Sequence, residues 1–358
     1  MFRFQSRSYT IKILILCLNI SLKLFGLSLS NKINNKKSKG LILYDLILIL
    51  SLTGSVFWII AKNDFDLTDK LFDTLQLIVI ILVMIQNISK EFKIVKGLKF
   101  LQINDDSLYM KWSTLINLVM EFLLCGILNF IGIVLLKSHL CLITKFILFL
   151  SSLIQVLFEC QFIFYNYLLY AQFSNVNLLL IQPTNSSIFK KVNITITNLQ
   201  NIRKRHEKIC IASSYINNYF CVQILMVITL NFLLFLKYLF SSYNKMLQFK
   251  HNEILNTQEI ISEVIILLNI LLRLFLICYV PSLMKKFANE SIQILFELNN
   301  TYDEIIGDEI EIFEQQIQAW NVNSSACGFF NIDMTLFFNI LCGATMYLLI
   351  SLQMASAE

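Results

Sequence analysis

The sequence predicts an all-α polytopic membrane protein with seven transmembrane helices, a cytoplasmic N-terminus and an extracellular C-terminus. Of its 358 residues, 56% are hydrophobic and only 15% are charged, and the mean hydropathy is +0.66. A soluble chain normally carries about 25% charged residues, so this chain has too few to cover an aqueous surface. Its apolar residues form continuous runs of the length that a helix needs to cross a bilayer, whereas a β-barrel would need short strands of alternating polarity.

Seven runs have this length, and each lies between polar segments. A short acidic turn joins the first two, and the fourth is long enough to tilt or to continue beyond the membrane. The runs are Leu41–Ala61, Leu71–Ile88, Thr114–Leu136, Cys141–Tyr170, Ser213–Phe240, Glu259–Leu283 and Met334–Met354.

The earlier segment Ile11–Leu29 is interrupted by lysines. We expect it to lie in the membrane interface or to dip into it; the alternative is a full span, in which a central lysine would cost roughly 2.5–3.5 kcal/mol.

The distribution of lysine and arginine predicts the orientation, because these residues are enriched in cytoplasmic segments. Of the 29 in the chain, 21 lie before the first run or in the second, fourth and sixth connections, and five lie in the other connections and the tail. The chain then divides into a cytoplasmic N-terminal segment (1–40), helices one to six with cytoplasmic helical extensions (41–283), a cytoplasmic segment (284–333), and helix seven with a short tail (334–358).

Two of the cytoplasmic connections carry amphipathic patterns. In the sixth connection, apolar residues recur at steps of three and four, namely Ile306, Ile310, Phe313, Ile317 and Trp320. In the fourth, a similar stripe over residues 192–209 lies beside basic residues. Each apolar stripe must be buried, so we expect the acidic and the basic helix to pack on the bundle; two separately solvated helices are the alternative. His206 lies on the second stripe, where a packed core position is expected and a ligand role is the alternative.

The last run carries a polar stripe along one side of its helix. The stripe comprises Thr335, Asn339, Cys342, Met346, Ile350 and Gln353. A stripe that ends in glutamine faces protein or water rather than lipid. Contact with another helix, for which Gly343 and Ala344 are suited, and the lining of a water-filled path are both open.

The same helix ends in a recognisable motif, in which Tyr347 is followed by five residues and then by Gln353 and Met354. This resembles the closing signature of the insect gustatory receptors, which are seven-helix chemoreceptors of inverted topology related to the odorant receptors. Their signature is Thr-Tyr, five hydrophobic residues and Gln-Phe, so Met346 and Met354 are departures from it. The Gly328-Phe329-Phe330 triplet before the helix and the stretch His206–Tyr219 are also similar to that family.

The resemblance implies a ligand-gated cation channel in the plasma membrane of chemosensory neurons. In such a channel four subunits, identical or related, surround one pore lined by the seventh helix, and cytoplasmic parts of helices four to seven join the subunits. Each subunit would bind a small-molecule tastant in a pocket open to the outside. Carried over by motif position, Ile350, Gln353 and Met354 would form the constriction, with Tyr347 one turn away. An uncharged glutamine ring predicts a weakly selective cation pore.

Ligand-pocket candidates are the polar and aromatic residues in the outer halves of the runs, although bonds between helices are their alternative role. They are Trp58, Asp73, Gln76, Gln155, Asn231, Glu263 and Asn269. Lys237 and Arg273 are expected to pair with acids or to extend to the membrane surface rather than to bind ligand.

Other function classes fit less well. A G-protein-coupled receptor, the main alternative, needs an external N-terminus and usually carries Asp-Arg-Tyr and a proline-rich last helix, whereas the only prolines here are Pro183 and Pro281. An inverted-repeat transporter would show paired halves and broken helices. An enzyme would need a cluster of catalytic groups, but the three histidines are far apart in the sequence. We expect no catalytic residue, metal, cofactor or nucleic-acid partner.

Overall fold

The computed structural model describes residues 39–61, 67–100, 124–132, 142–181, 196–250, 257–299, 304–320 and 322–357. The segment Ile11–Leu29 lies outside these residues, as do parts of the third apolar run. The described elements are α1 (Lys39–Ala61), α2 (Leu67–Phe100), α3 (124–132), α4 (Leu142–Ile181), α5 (Ile196–Lys250), α6 (Thr257–Asn299), α7 (Glu304–Ala319), β1 (Ser325–Ala326), β2 (Phe330–Asn331) and α8 (Met334–Ala357). Within these residues the fold is therefore helical apart from one small hairpin, and the predicted all-α class is confirmed.

Each predicted apolar run overlaps one of these helices. Among the described residues, four helices contain a stretch long and apolar enough to cross a membrane: α4, α5, α6 and α8. A shorter apolar helix covers Leu46–Ala61 in α1.

The three longest helices extend well beyond their apolar runs. The α4, α5 and α6 helices have 40, 55 and 43 residues. At 1.5 Å per residue they measure about 60 to 80 Å, against roughly 30 Å for the hydrocarbon core of a bilayer. The basic amphipathic segment and the apolar run after it form one helix, α5, because no proline or glycine interrupts the sequence between 196 and 213. The α4, α5 and α6 helices therefore extend well beyond any membrane that they cross.

The innermost helix is α4, which packs between α5 and α6, while α2 packs on α5 and α1 packs on α2. Residues 154–166 of α4 are all buried, and rings from α4 and α5 meet there: Phe162 and Tyr165 lie 5.4 and 5.9 Å from Phe220 between centroids. Aromatic pairs at these separations are favourable beyond the area that they bury. The core thus includes a cluster of aromatic rings where α4 meets α5.

The two amphipathic helices pack together at one end of the bundle, which we call the base: residues 196–212 of α5, α7, the hairpin and the ends of α4 and α6 beside them. Ile310, Phe313 and Ile317 of α7 are buried. The Arg203 Nε donates to Glu309 Oε1 at 2.7 Å, which joins the basic helix to the acidic one. The expected packing is confirmed, because α7 packs on both α5 and α6 and the middle of its apolar stripe is buried there.

His206 is a packed residue of the base, as expected. Its ring lies 5.3 Å from Phe173 of α4 and 5.5 Å from Phe313 of α7, and its Nδ1 is 3.5 Å from Cys210 Sγ. Burial lowers the pKa of His206 to about 4, against a smaller raising effect from the backbone of Ala288. The imidazole is therefore neutral at physiological pH.

Candidate pore helix and buried polar network

The start of α8 is fixed by contacts to the base and to α6. Asp333 Oδ1 accepts a hydrogen bond from the backbone N–H of Leu336 at 3.2 Å, which is the geometry of an N-cap. The N–H of Met334 donates to Ser282 Oγ of α6 at 2.9 Å. One turn later, the Phe337 ring lies 5.6 Å from Phe275 of α6 in an edge-on arrangement. The first turns of α8 therefore follow the position of α6.

The hairpin that precedes α8 is anchored to two other helices. Ser325 N donates to Asn217 Oδ1 of α5 at 2.9 Å, and Ser324 Oγ donates to Asn166 Oδ1 of α4 at 3.1 Å. Its turn places Cys327 and Gly328 at φ values of 53° and 78°. Two successive positive φ angles belong to a type I′ turn, which explains the glycine of the Gly-Phe-Phe triplet.

Beyond its first turns, α8 makes little contact with its own chain. Only 11% of its apolar stretch is buried within the chain, against 72% for α4. Ile340 and Ala344 form the buried side, at a spacing of one turn. On the opposite side all six residues of the predicted polar stripe are exposed: Thr335, Asn339, Cys342, Met346, Ile350 and Gln353. The chain thus directs a mixed polar and apolar helix face away from itself.

The four predicted pore residues are part of this outward surface. Tyr347, Ile350, Gln353 and Met354 are all exposed, in the last three turns of α8. One chain alone cannot enclose a path along such a face. Their assignment to a constriction stays a prediction that needs further subunits.

A buried ion pair joins α4 to α6 in the middle of the bundle. Arg273 Nε donates to Glu159 Oε2 and Arg273 Nη2 donates to Glu159 Oε1, both at 2.6 Å. The two side chains are 6% and 3% exposed, and each lies near the middle of its apolar run. The bidentate geometry is the strongest that arginine and a carboxylate can adopt. Removing one partner alone would leave a buried charge unpaired, at a cost of about 3–5 kcal/mol.

Two of the pocket candidates, Gln155 and Asn231, bond to this ion pair. We call the four residues together the polar network: Gln155, Glu159, Asn231 and Arg273. The Asn231 Nδ2 of α5 donates to Glu159 Oε1 at 3.0 Å. The Gln155 Nε2 lies 3.0 Å from Asn231 Oδ1 and 3.2 Å from Glu159 Oε1. The network therefore ties α4, α5 and α6 together, and the expectation that Arg273 would pair with an acid is confirmed.

Most of the remaining pocket candidates also bond neighbouring helices. Gln76 Nε2 donates to Ser152 Oγ of α4 at 3.2 Å, and Asn269 Nδ2 donates to Asn129 Oδ1 of α3 at 2.8 Å. Glu263 accepts hydrogen bonds from three residues of α5, namely Ser241, Ser242 and Lys245. These contacts favour a role in helix packing, while a role in ligand binding stays a prediction.

The two remaining candidates lie on α2 and α1. Asp73 is buried on α2 and lies close enough to Tyr238 of α5 to act on it electrostatically. Trp58 is 49% exposed on α1. Lys237 pairs with Asp69 of α2, as expected, and its ammonium lies 5.0 Å from the centre of the Phe72 ring.

A small cavity lies against the ion pair. Its lining includes Glu159 and Arg273 together with Cys125 of α3 and Cys160 of α4, and it has room for about one water molecule. Within the described part of the chain, no group of three His, Cys, Asp or Glu side chains could hold a metal ion.

Sequence reasoning missed Glu159 and Ser282. Glu159 is the only acidic residue of the fourth run and Arg273 is the only basic residue of the sixth. Isolated charges of opposite sign in two apolar runs signal a partner at membrane depth, so this pairing could have been found. No sequence signal identified Ser282, because its contact with Met334 depends on how α6 and α8 meet in space.

Comparison with known proteins identifies the family. The profile of the 7tm chemosensory receptors matches residues 22–358. The chain is 27% identical over 164 residues to a putative gustatory receptor 28b of Drosophila melanogaster; this stretch covers 44% of the chain and only about a third (34%) of that relative.

The solved structures of insect olfactory receptor OR5 from Machilis hrabei are similar in fold, at 13% sequence identity. The match has a TM-score of 0.74 over 97% of this chain and 99% of that one. The complex of the same receptor with eugenol gives a TM-score of 0.69 over 99% of both chains. Together with the profile, this confirms the resemblance to insect chemoreceptors that the last helix indicated. The chain belongs to the 7tm chemosensory receptor family.

Proposed function

We propose that the chain is a gustatory receptor that acts as a ligand-gated, weakly selective cation channel in the plasma membrane of chemosensory neurons. Four subunits, of this chain alone or with related chains, would surround one pore. Their seven transmembrane helices would be α1 to α6 and α8, with the base in the cytoplasm. The ligand would be a small-molecule tastant that enters each subunit from outside.

The outward face of α8 is the observation that carries this proposal. A polar stripe is costly against lipid, so Asn339 and Gln353 require protein or water in front of them. In the single chain both residues are exposed, and the bundle contacts the opposite side of α8, at Ile340 and Ala344. Symmetric association of several copies would bring the stripes together around a shared axis and surround them with a water-filled path.

Gating then requires that the ligand bind the open form better than the closed form. A tenfold shift in the ratio of open to closed channels needs only about 1.4 kcal/mol of differential binding. Ile350 and Met354 would close the path as an apolar constriction, and four Gln353 side chains would set its weak selectivity.

Substitution of Gln353 tests the pore. Gln353→Glu would place a ring of carboxylates at the constriction, so we expect higher relative permeability to divalent cations and stronger block by them. The measurement is the reversal potential and block of ligand-evoked or leak currents in cells that express the chain. Gln318→Glu, the same substitution on an exposed position of α7, is the matched control and should leave permeation unchanged. Unaltered permeation in Gln353→Glu would disprove the pore assignment.

Accessibility of the two termini separates the channel from a G-protein-coupled type of receptor. We expect a C-terminal epitope tag to bind antibody on intact cells and an N-terminal tag to bind it only after permeabilisation. The physical reason is the excess of basic residues in the N-terminal segment and the even-numbered connections. The reverse labelling pattern would contradict the proposed topology and favour the alternative receptor class.

A further inference from the structure

Charged side chains such as those of the polar network are rare at the centre of a membrane bundle. Two full charges are buried there, and a well-packed apolar pair would stabilise the fold at least as well. Charged residues at membrane depth therefore point to a function, with their partner as the first place to search. Here Glu159 and Arg273 tie α4 to α6, the helix that also holds α8.

The α6 helix carries the network and the pore helix on residues close to each other. Arg273 enters the network, and two positions later Phe275 contacts the Phe337 ring of α8 at 5.6 Å. Two turns further on, Ser282 Oγ accepts the N–H of Met334, the first residue of α8. A rotation of α6 that moves Arg273 would therefore also move the start of α8.

The same stretch of α6 contains a point where the helix can bend. Pro281 lies inside the helix and has no N–H to donate, so the ladder of backbone bonds is interrupted there. Ser282 Oγ donates to the carbonyl of Cys278 at 3.0 Å and accepts from Met334 at the same time. The interruption in α6 is thus bonded directly to the beginning of the pore helix, and proline sites are where helices kink.

A small cavity lies beside the ion pair. Glu159 and Arg273 both line it, and it has room for about one water molecule. The unfilled space gives the two side chains room to move apart without displacing packed atoms.

We propose that the Glu159–Arg273 pair is a latch that holds α6, and through Phe275 and Ser282 the pore helix α8, in the ligand-free position. The inference rests on the proposed channel function and adds positioning residues to it. Ligand binding separates the pair, α6 bends at Pro281, and α8 moves with it. Glu159 and Arg273 act through α8 rather than by lining the pore.

The test removes the latch without leaving an unpaired charge. The double substitution Glu159→Leu with Arg273→Met replaces the pair by apolar side chains, so the fold should be retained. A thiol introduced by Gln353→Cys, in a Cys342→Ser background, reports the position of α8 through its rate of modification by a water-soluble methanethiosulfonate. The protein is held in lipid nanodiscs without ligand, and the modified peptide is quantified by mass spectrometry. We expect the rate to rise at least threefold when the latch is removed.

The matched control removes another ion pair, whose two partners both lie on helices other than α6. Asp69→Leu with Lys237→Met breaks the pair between α2 and α5, and its labelling rate should stay at the wild-type value. The proposal would be overturned if the latch variant and the wild type were labelled at the same rate while thermal melting showed that both proteins are folded. If the apolar variant does not fold, Glu159→Gln with Arg273→Gln keeps hydrogen-bonding groups in place and answers the same question.

A second measurement tests the connection to α8. If the Phe275–Phe337 contact transmits the change, Phe337→Ala should abolish the effect of latch removal on the labelling rate. An undiminished effect in this background would exclude that contact as the link. The labelling rate can be measured without ion flow, so the two proposals fail separately. A chain that conducts no current but whose labelling rate rises when the latch is removed would refute only the channel. A chain with normal currents and an unchanged labelling rate would refute only the latch.

Discussion

At the scale of single residues, burial sets the properties of His206. In the folded chain its pKa is about 4, whereas an unfolded histidine titrates near 6.5. Between these two values the unfolded state binds more protons, so stability rises with pH across this window and is lost as pH falls from about 6.5 towards 4. The expected loss of unfolding free energy between pH 7.5 and pH 5 is about 2 kcal/mol.

The measurement is the thermal melting of the purified receptor in detergent at these two pH values. His206→Phe keeps a ring between Phe173 and Phe313 but does not titrate, so its melting temperature should depend less on pH than that of the wild type. His251→Gln serves as the control histidine and should keep the wild-type dependence. An identical pH profile in His206→Phe would show that other groups cause the effect.

At the scale of elements, the hairpin before α8 depends on one glycine. Gly328 has φ +78° and no atom lies within 4 Å of where a Cβ would be, so a substitution there tests the backbone alone. Gly328→Ala should lower the unfolding free energy by about 1–2 kcal/mol, because a left-handed conformation is unfavourable for a residue with a Cβ. Gly54→Ala, at an equally open position inside α1, should be neutral or stabilising, since alanine is the better helix former. A Gly328→Ala protein that melts with the wild type would contradict the assigned turn.

The sequence predicted the elements better than it predicted their contacts. Apolar runs and helical spacing indicated the helices, the packing face of α7 and the polar stripe of α8, because each is a local property of period 3.6. Contacts between distant segments have no such local signal, and Glu159 and Arg273 are 114 positions apart in the chain. Hydropathy changes at Ser213, so the sequence predicts a separate membrane run that begins there. The structure has one continuous helix, α5, because backbone hydrogen bonds continue through polar and apolar turns alike.

At the scale of the whole molecule, the proposed assembly depends on α8 meeting its copies. Its outward face stays uncovered in one chain, and the last two turns carry Gln353 and Met354 on that face. If these turns surround a narrow axis, thiols at equivalent positions of neighbouring subunits come within reach of a disulfide, which needs Cα atoms less than about 7 Å apart. Packing of α8 against lipid alone would keep such thiols far from one another.

Oxidative cross-linking therefore tests the assembly. With Gln353→Cys in a Cys342→Ser background, we expect a copper-phenanthroline oxidant to produce covalent dimers in membranes, and a non-reducing gel to show them at twice the mass of the 41.7 kDa chain. Opening of the constriction by an effective tastant should slow the cross-linking, because the thiols then move apart. Gln318→Cys, on the exposed side of α7, is the control for random collision and should give few dimers. A Gln353→Cys protein that stays monomeric, while single-molecule bleaching still counts four subunits, would place the ends of α8 away from the axis and require another helix to line the pore.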